Sequence, residues 1–308
     1  MINVKALYIW LFIIITLLLI APIYAQAYLP TLFMIMLYSI IAQSWNILAG
    51  YTGQISLGSA AFFGIGSYTT ALLWLQGIDP IVSIFLSGII TTVLSSIIIP
   101  TFRLRGIYFA MGTLFLGEIA KSFILYFDKF TGGAGGLHLP LPSIYDPTPY
   151  FYFSSVIALV LTSLSYIVRK SNIGLAFIAI REDEDAAKAL GVNPLKFKVI
   201  ALFLNTFFIG VGGGLYAWYH KYIDPYTVFS VNWSVEPVFM AIIGGVGTLF
   251  GPWVGAIIMV ILVRTFAGLA ELSFLVFGIS LIVIIRFFPL GIIGTLMLRL
   301  PRVGSRTI

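Results

Sequence analysis

Apolar runs long enough to cross a bilayer recur along the whole chain, and little charge separates them. Apolar residues make up 60% of the 308 and charged residues only 9%, whereas a soluble domain carries about a quarter charged. The mean hydropathy is +1.07. Crossing roughly 30 Å of hydrocarbon takes about 20 helical residues, and backbone in lipid must satisfy its own hydrogen bonds. The runs predict about ten crossings, near 6–22, 29–48, 59–77, 81–100, 107–127, 150–168, 198–219, 235–249, 252–267 and 270–288. Period-2 alternation is not sustained, which argues against a β-barrel. The expected fold class is all-α, a polytopic transmembrane helix bundle forming one domain over 1–308.

The net charge of +6 does not point to nucleic acid, because of where the charges lie. Lys5, Arg103, Arg105, Arg169, Lys170, Arg181, Lys188, Lys196, Lys198, Arg286, Arg299, Arg302 and Arg306 fall on one side of the predicted topology. Lys121, Lys129, Lys221 and Arg264 fall towards the other. Positive charge gathers on cytoplasmic loops, so both termini and the loop 169–198 are expected in the cytoplasm. The N-terminal stretch reads two ways. It is a first span, or a secretory signal with a cleavage site around Ala25-Gln26-Ala27. An even span count favours the first. The chain has no cysteine, which excludes disulfides, thiol catalysis and cysteine-ligated metal.

The loop 169–198 is a charged island between two hydrophobic halves, 1–168 and 199–308, and holds ten charges in thirty positions. Within it, Glu182 to Asp185 are expected to open a helix whose N-terminal dipole favours acids, with Lys188 late in it. Gly191 is placed as a left-handed cap, and Pro194 prevents continuation. Ala186, Ala187 and Leu190 then form a small apolar ridge, the mark of a docking element. A solvated linker is the alternative.

Each half carries a glycine-interrupted apolar stretch, Asn46 to Gly58 in the first and Gly244 to Pro252 in the second. Paired breaks of this kind point to a transporter's binding region, and tight turns at a membrane face are the other reading. Small residues four apart, as in Ala60 and Gly64, Gly210 and Gly214, or Gly251 and Gly255, allow close helix packing in lipid. The outer loop 128–149, rich in glycine and proline, is expected to hold neither helix nor strand. No Gly-x4-Gly-Lys-Ser/Thr pattern occurs, so the chain has no recognisable means of hydrolysing ATP. His138 and His220 have no ligand-like spacing, and no metal site is expected. Glu118, near the middle of the fifth span, is expected to face the bundle interior because a charge facing lipid costs about 2.5–3.5 kcal/mol. Lys121, one turn on, can pair with it. Glu236 reads as a first-turn acid before Pro237.

Asp185-Ala186-Ala187 followed by Gly191 resembles the cytoplasmic coupling helix of ABC-importer permeases, with Asp in place of the usual Glu. Ser44 to Gly58 followed by Phe62-Phe63-Gly64-Ile65-Gly66-Ser67-Tyr68 resembles the branched-chain amino acid permeases. Arg103 to Ala110, Glu118-Ile119, Thr131-Gly132-Gly133 and Gly244 to Pro252 are similar to the LivM-type members. The resemblance implies a multi-pass permease of the cytoplasmic (inner) membrane, importing branched-chain amino acids or related small solutes such as urea or amides. It implies as partners a second related permease, two cytoplasmic ATPases that bind ATP and Mg, and an extracytoplasmic solute-binding protein. Arg181, Glu184, Asp185, Ala186, Ala187, Leu190 and Gly191 are the expected ATPase-docking residues, and Asn46, Thr52, Gln54, Ser56 and Glu118 the translocation-path candidates. An ion-coupled secondary transporter built on Glu118 and the glycine breaks is the alternative.

Overall fold

Apolar segments in lipid fold as helices because every backbone donor and acceptor is then satisfied within the segment. The computed structural model describes residues 26–104, 106–142, 144–266 and 286–299, with positions 22, 24, 278, 279 and 282. Its main helices are α1 (Leu29–Trp45), α2 (Ser59–Leu75), α3 (Pro80–Ser95), α4 (Ile107–Tyr126), α5 (Thr148–Lys170), α6 (Asn172–Glu182), α7 (Glu184–Ala189), α8 (Pro194–His220), α9 (Asn232–Gly244), α10 (Gly251–Thr265) and α11 (Gly291–Arg299). Among the described residues six segments are long and apolar enough to cross a membrane. They are α1 with its flanks (Gln26–Tyr51), α3 with its 3-10 extension (Pro80–Arg103), α4, α5, α8 and the stretch Pro225–Gly244 that ends with α9. Helices α2 and α10 are shorter apolar helices. The expected spans near 6–22 and 270–288 lie outside the described residues, apart from isolated positions.

Two features stand out against expectation. The span expected at 235–249 is shifted, because α9 starts at Asn232 and Gly245 leaves the helix at φ 120°. The loop 128–149 does hold regular structure. A one-turn helix, Asp128–Thr131, precedes strand β1 (Leu137–His138), which pairs antiparallel with β2 (Tyr222–Ile223). Its glycines permit this rather than forbid it. Thr131 ends the turn by donating to the Ile124 carbonyl at 2.6 Å. Beside β2, Lys221 lies 4.3 Å from the Trp74 ring and 5.0 Å from that of Tyr150. Burial there pushes its ammonium down to about 8.

Helix α1 is the axis of the bundle. It buries Leu29, Phe33, Leu37, Ile40 and Ile41 and packs against α5, α8, α9 and α10. Helix α8, from the second half, packs against α2 and α3 of the first. The α2–α8 crossing brings backbones together, since a Cβ on Gly66 would overlap the Gly210 carbonyl. Hydroxyls join the same seams. Ser67 donates to the Gly213 carbonyl at 2.9 Å, and Ser87 to that of Gly210 at 3.2 Å. Close approach of small residues with interhelical hydroxyl bonds is how helices adhere where lipid is as apolar as leucine. Helix α10 is tied to α5 by the Trp253 indole N–H, which donates to the Thr162 hydroxyl at 2.9 Å. The two halves flanking the charged loop are thus interleaved.

The crossing makes a sharp prediction. Gly66→Leu drives a side chain into the Gly210 backbone, which cannot yield, so it is expected to cost at least about 1–3 kcal/mol. A Cβ at Gly135, in the outer loop, meets nothing within 4 Å. Thermal unfolding of the detergent-solubilised protein is expected to fall clearly for Gly66→Leu and to be unchanged for Gly135→Ala.

Candidate coupling and translocation site

The charged loop folds into two helices where one was expected. Asp183 takes an extended conformation (φ −159°, ψ 112°), which stops α6 and starts α7. Its carboxylate accepts from the Asp185 and Ala186 amides at 2.9 Å each, an N-cap typically worth about 1 kcal/mol. Arg181 and Glu182 therefore close α6 rather than opening α7. Gly191 stands at φ 86°, left-handed as its sequence context predicts. Asn193 caps α8 by accepting from the Lys196 amide, and Pro194 occupies its first turn.

The expected ridge is also revised. Ala187 is buried within the chain itself, because α7 lies against α6 and α8, while Ala186 is exposed and Leu190 is 85% exposed. Of the three ridge residues, Ala186 and Leu190, one turn apart, present apolar surface outward. Glu184, expected at the docking face, makes an internal ion pair with Lys198 of α8 at 2.6 Å. Lys198 is 2% exposed and Glu184 30%. Sequence reading took Lys198 for a solvated cation. Its position four residues into an apolar helix was the signal that its stem would be enclosed.

The two glycine breaks meet. Helix α1 continues through a π-helical turn, Asn46–Tyr51, and the chain then runs irregularly to α2. The buried Asn46 amide joins this turn to the second break. Its Oδ1 accepts from the Gly247 amide at 2.7 Å, and its Nδ2 donates to the Thr248 carbonyl at 2.9 Å. A Cβ on Gly50 would lie 2.8 Å from the Gly247 nitrogen, so the two turns are in backbone contact. Arg181 reaches the same junction from the loop. Its guanidinium Nη1 donates to the Gly50 carbonyl at 3.0 Å, and its aliphatic stem covers Gly53. Nη2 pairs with Glu182 at 2.7 Å. Tyr51, Arg169, Gly174, Ile178, Arg181 and Gly247 line a cavity of about 50 Å³ at this junction.

The other path candidates do not converge on an open space. Thr52 is buried and donates to the Leu48 carbonyl at 2.6 Å, ending the π turn. Ser56 is buried; its hydroxyl accepts from the Gly58 amide, and its carbonyl accepts from the Trp45 indole at 2.8 Å. Gln54 is half-buried. Glu118 does not face the bundle interior. Helix α4 packs inward through Phe109, Ala110, Thr113 and Gly117, which turns Glu118 outward, 51% exposed and paired with Lys121 at 2.5 Å. The same outer face carries Met111, Phe115, Ile119 and Phe123. The acid that is buried in a span is Glu236 of α9, which sequence reading assigned to a helix start. Among the described residues no group of three or more His, Asp or Glu could hold a metal ion.

The family described as "Branched-chain amino acid transport system / permease component" matches residues 27–285. The chain belongs to this family. It is 28% identical over 291 residues to the high-affinity branched-chain amino acid transport system permease protein LivM of Salmonella typhimurium, covering 84% of this chain and 68% of that protein. It is 24% identical to the probable LivM of Methanocaldococcus jannaschii, covering 83% and 90%. It is 22% identical to LivH of Salmonella typhimurium, covering 83% and 91%. No solved structure is significantly similar. The chain is a LivM-type permease component, a transport protein rather than an enzyme.

The Lys198 pair supplies a test. Removing the carboxylate leaves a buried ammonium without a counter-charge, which costs on the order of 3 kcal/mol, whereas removing the lysine frees a carboxylate that already touches water. Glu184→Gln is therefore expected to lower thermal stability more than Lys198→Met does. Differential scanning fluorimetry of both variants checks the order.

Proposed function

We propose that this chain is one of two membrane subunits of an ATP-driven importer that carries branched-chain amino acids into the cytoplasm. The reading rests on Arg181, which ties the charged loop to both broken helix ends. A push on α7 would pass to α6, against which it lies, then through Arg181 to the backbone at Gly50 and, through Asn46, to that at Gly247. Two cytoplasmic ATPases would bind ATP and Mg and seat the exposed Ala186 and Leu190 in a cleft, with Asp185 and Gly191 shaping the loop. An extracytoplasmic solute-binding protein would deliver the solute. The chain would cross the inner membrane ten times with both termini in the cytoplasm.

The interleaved halves support movement of the whole subunit against a second, related permease rather than of one half against the other. The outer face of α4, the least enclosed of the six long spans, is suited to meet that partner and to border the path between them, with the Glu118–Lys121 pair on it. Glu118 consequently gives no support to an ion-coupled carrier with an acid inside the bundle. Gln54, near the junction, stands as the half-buried candidate for the inner mouth.

Two experiments test this. The chain lacks cysteine, so single introduced cysteines report sidedness. Ile144→Cys is expected to react with an impermeant maleimide from outside, and Lys188→Cys only after the inner face is opened; the reverse pattern would refute the orientation. Leu190→Asp is expected to leave the chain inserted but to lose the co-purifying ATPase. Arg181→Ala is expected to keep the ATPase and its hydrolysis while uptake of radiolabelled leucine drops at least about tenfold, the scale of one lost charge-assisted hydrogen bond. Normal uptake in both variants would reduce the loop to a linker.

A further inference from the structure

Glu236 is the least expected group in the bundle. It is buried on α9, inside a span, where a carboxylate is costly unless something compensates it. No basic side chain does so among the described residues, whose ion pairs are Lys121–Glu118, Arg181–Glu182 and Lys198–Glu184. Its polar neighbour is the Tyr38 hydroxyl of α1. Pro237 adds a second acceptor, because a proline at that position removes the helical donor from the Trp233 carbonyl.

Aromatic rings gather on Trp233, on the same helix as these acceptors. Trp233, one turn before Glu236, stacks on Phe63 at 3.9 Å between centroids, with Tyr216 edge-on at 5.4 Å and Tyr38 at 5.7 Å. Tyr216 in turn stacks on His220 at 3.9 Å. Exposure is graded along the row. His220 is exposed, Tyr216 and Tyr38 are half-buried, and Trp233 and Glu236 are buried. The rings thus run from the outer end of α8 inward to the acid.

One carboxylate and one freed carbonyl beside an aromatic cluster suit a single kind of ligand: a cation with several N–H donors. Rings attract such a cation through their quadrupoles, and more strongly when it is desolvated. The geometry points to a binding site for the ammonium group of the transported amino acid, held by Glu236 between Tyr38, Trp233 and Tyr216. This rests on the import reading for the identity of the solute, but the site's chemistry stands apart from it.

Binding is measured by saturation-transfer NMR on the chain in lipid nanodiscs, with whatever subunits co-purify and no solute-binding protein. The probes are leucine, 3-methylbutylamine (ammonium only) and 4-methylpentanoate (carboxylate only). Both amines are expected to bind and the acid not to. Glu236→Gln is expected to raise Kd for both amines about tenfold or more, as loss of a charge-assisted bond does, with Tyr216→Leu giving a smaller rise. If 3-methylbutylamine binds through Glu236 and leucine does not, the ammonium site stands and the amino-acid reading falls. The site is overturned if neither amine binds, if 4-methylpentanoate binds as well as they do, or if Glu236→Gln binds the amines as tightly as the unmodified chain. Should Glu236→Gln not fold, the ranking of the three probes on the unmodified chain still decides.

Discussion

A single amide makes this bundle possible. Backbone that leaves helical geometry between apolar helices exposes donors and acceptors that lipid cannot satisfy, and an unmade bond there costs several kcal/mol. Both halves leave helical geometry at a glycine run, and Asn46 closes the gap by accepting from Gly247 and donating to Thr248. Arg181 adds a third strut at Gly50. The glycines provide the close approach, and the asparagine and arginine make it affordable in hydrogen bonds. The π turn, the start of α10 and the end of α6 are all positioned by that junction.

Much of the fold was legible because lipid imposes a simple code. A long apolar run can only be a helix, so the spans over α1, α3, α4, α5 and α8 follow from hydropathy alone, and Gly191 and Pro194 mark the end of the loop by their backbone limits. What hydropathy cannot give is azimuth. Glu118 was assigned inward because charge avoids lipid, yet the small face of α4, Ala110 to Gly117, wins the packing and turns the acid out. Glu236 reads in the sequence as a first-turn acid because Pro237 follows it. Its burial depends on α1 and α8, far away in sequence.

The loop teaches the same lesson at shorter range. Four consecutive acids look like one helix start, but a side chain that caps a helix must itself lie outside it, and Asp183 takes that part. The ridge then rotates, so Ala187 faces the chain's own helices and Leu190 faces away. Lys198 looks in the sequence like one more charge of the loop, but its partner fourteen residues earlier encloses it. Local rules located the elements, and contacts distant in sequence decided their faces.

Helix α8 has one more consequence. It runs unbroken over 27 residues from Pro194 to His220, and at 1.5 Å per residue Lys198 and Tyr216 are about 27 Å apart on one rod. Its inner end is pinned to α7 by the Glu184 pair, and its outer end carries a ring of the Trp233 cluster. A rod of that kind has no preferred direction of transmission. On the docking and binding proposed above, a partner that tilts the rod at α7 would alter how the Trp233 cluster holds a ligand, and linkage would make that effect equal in both directions. Were both proposed sites filled, occupation of one end would be felt as a change of affinity at the other.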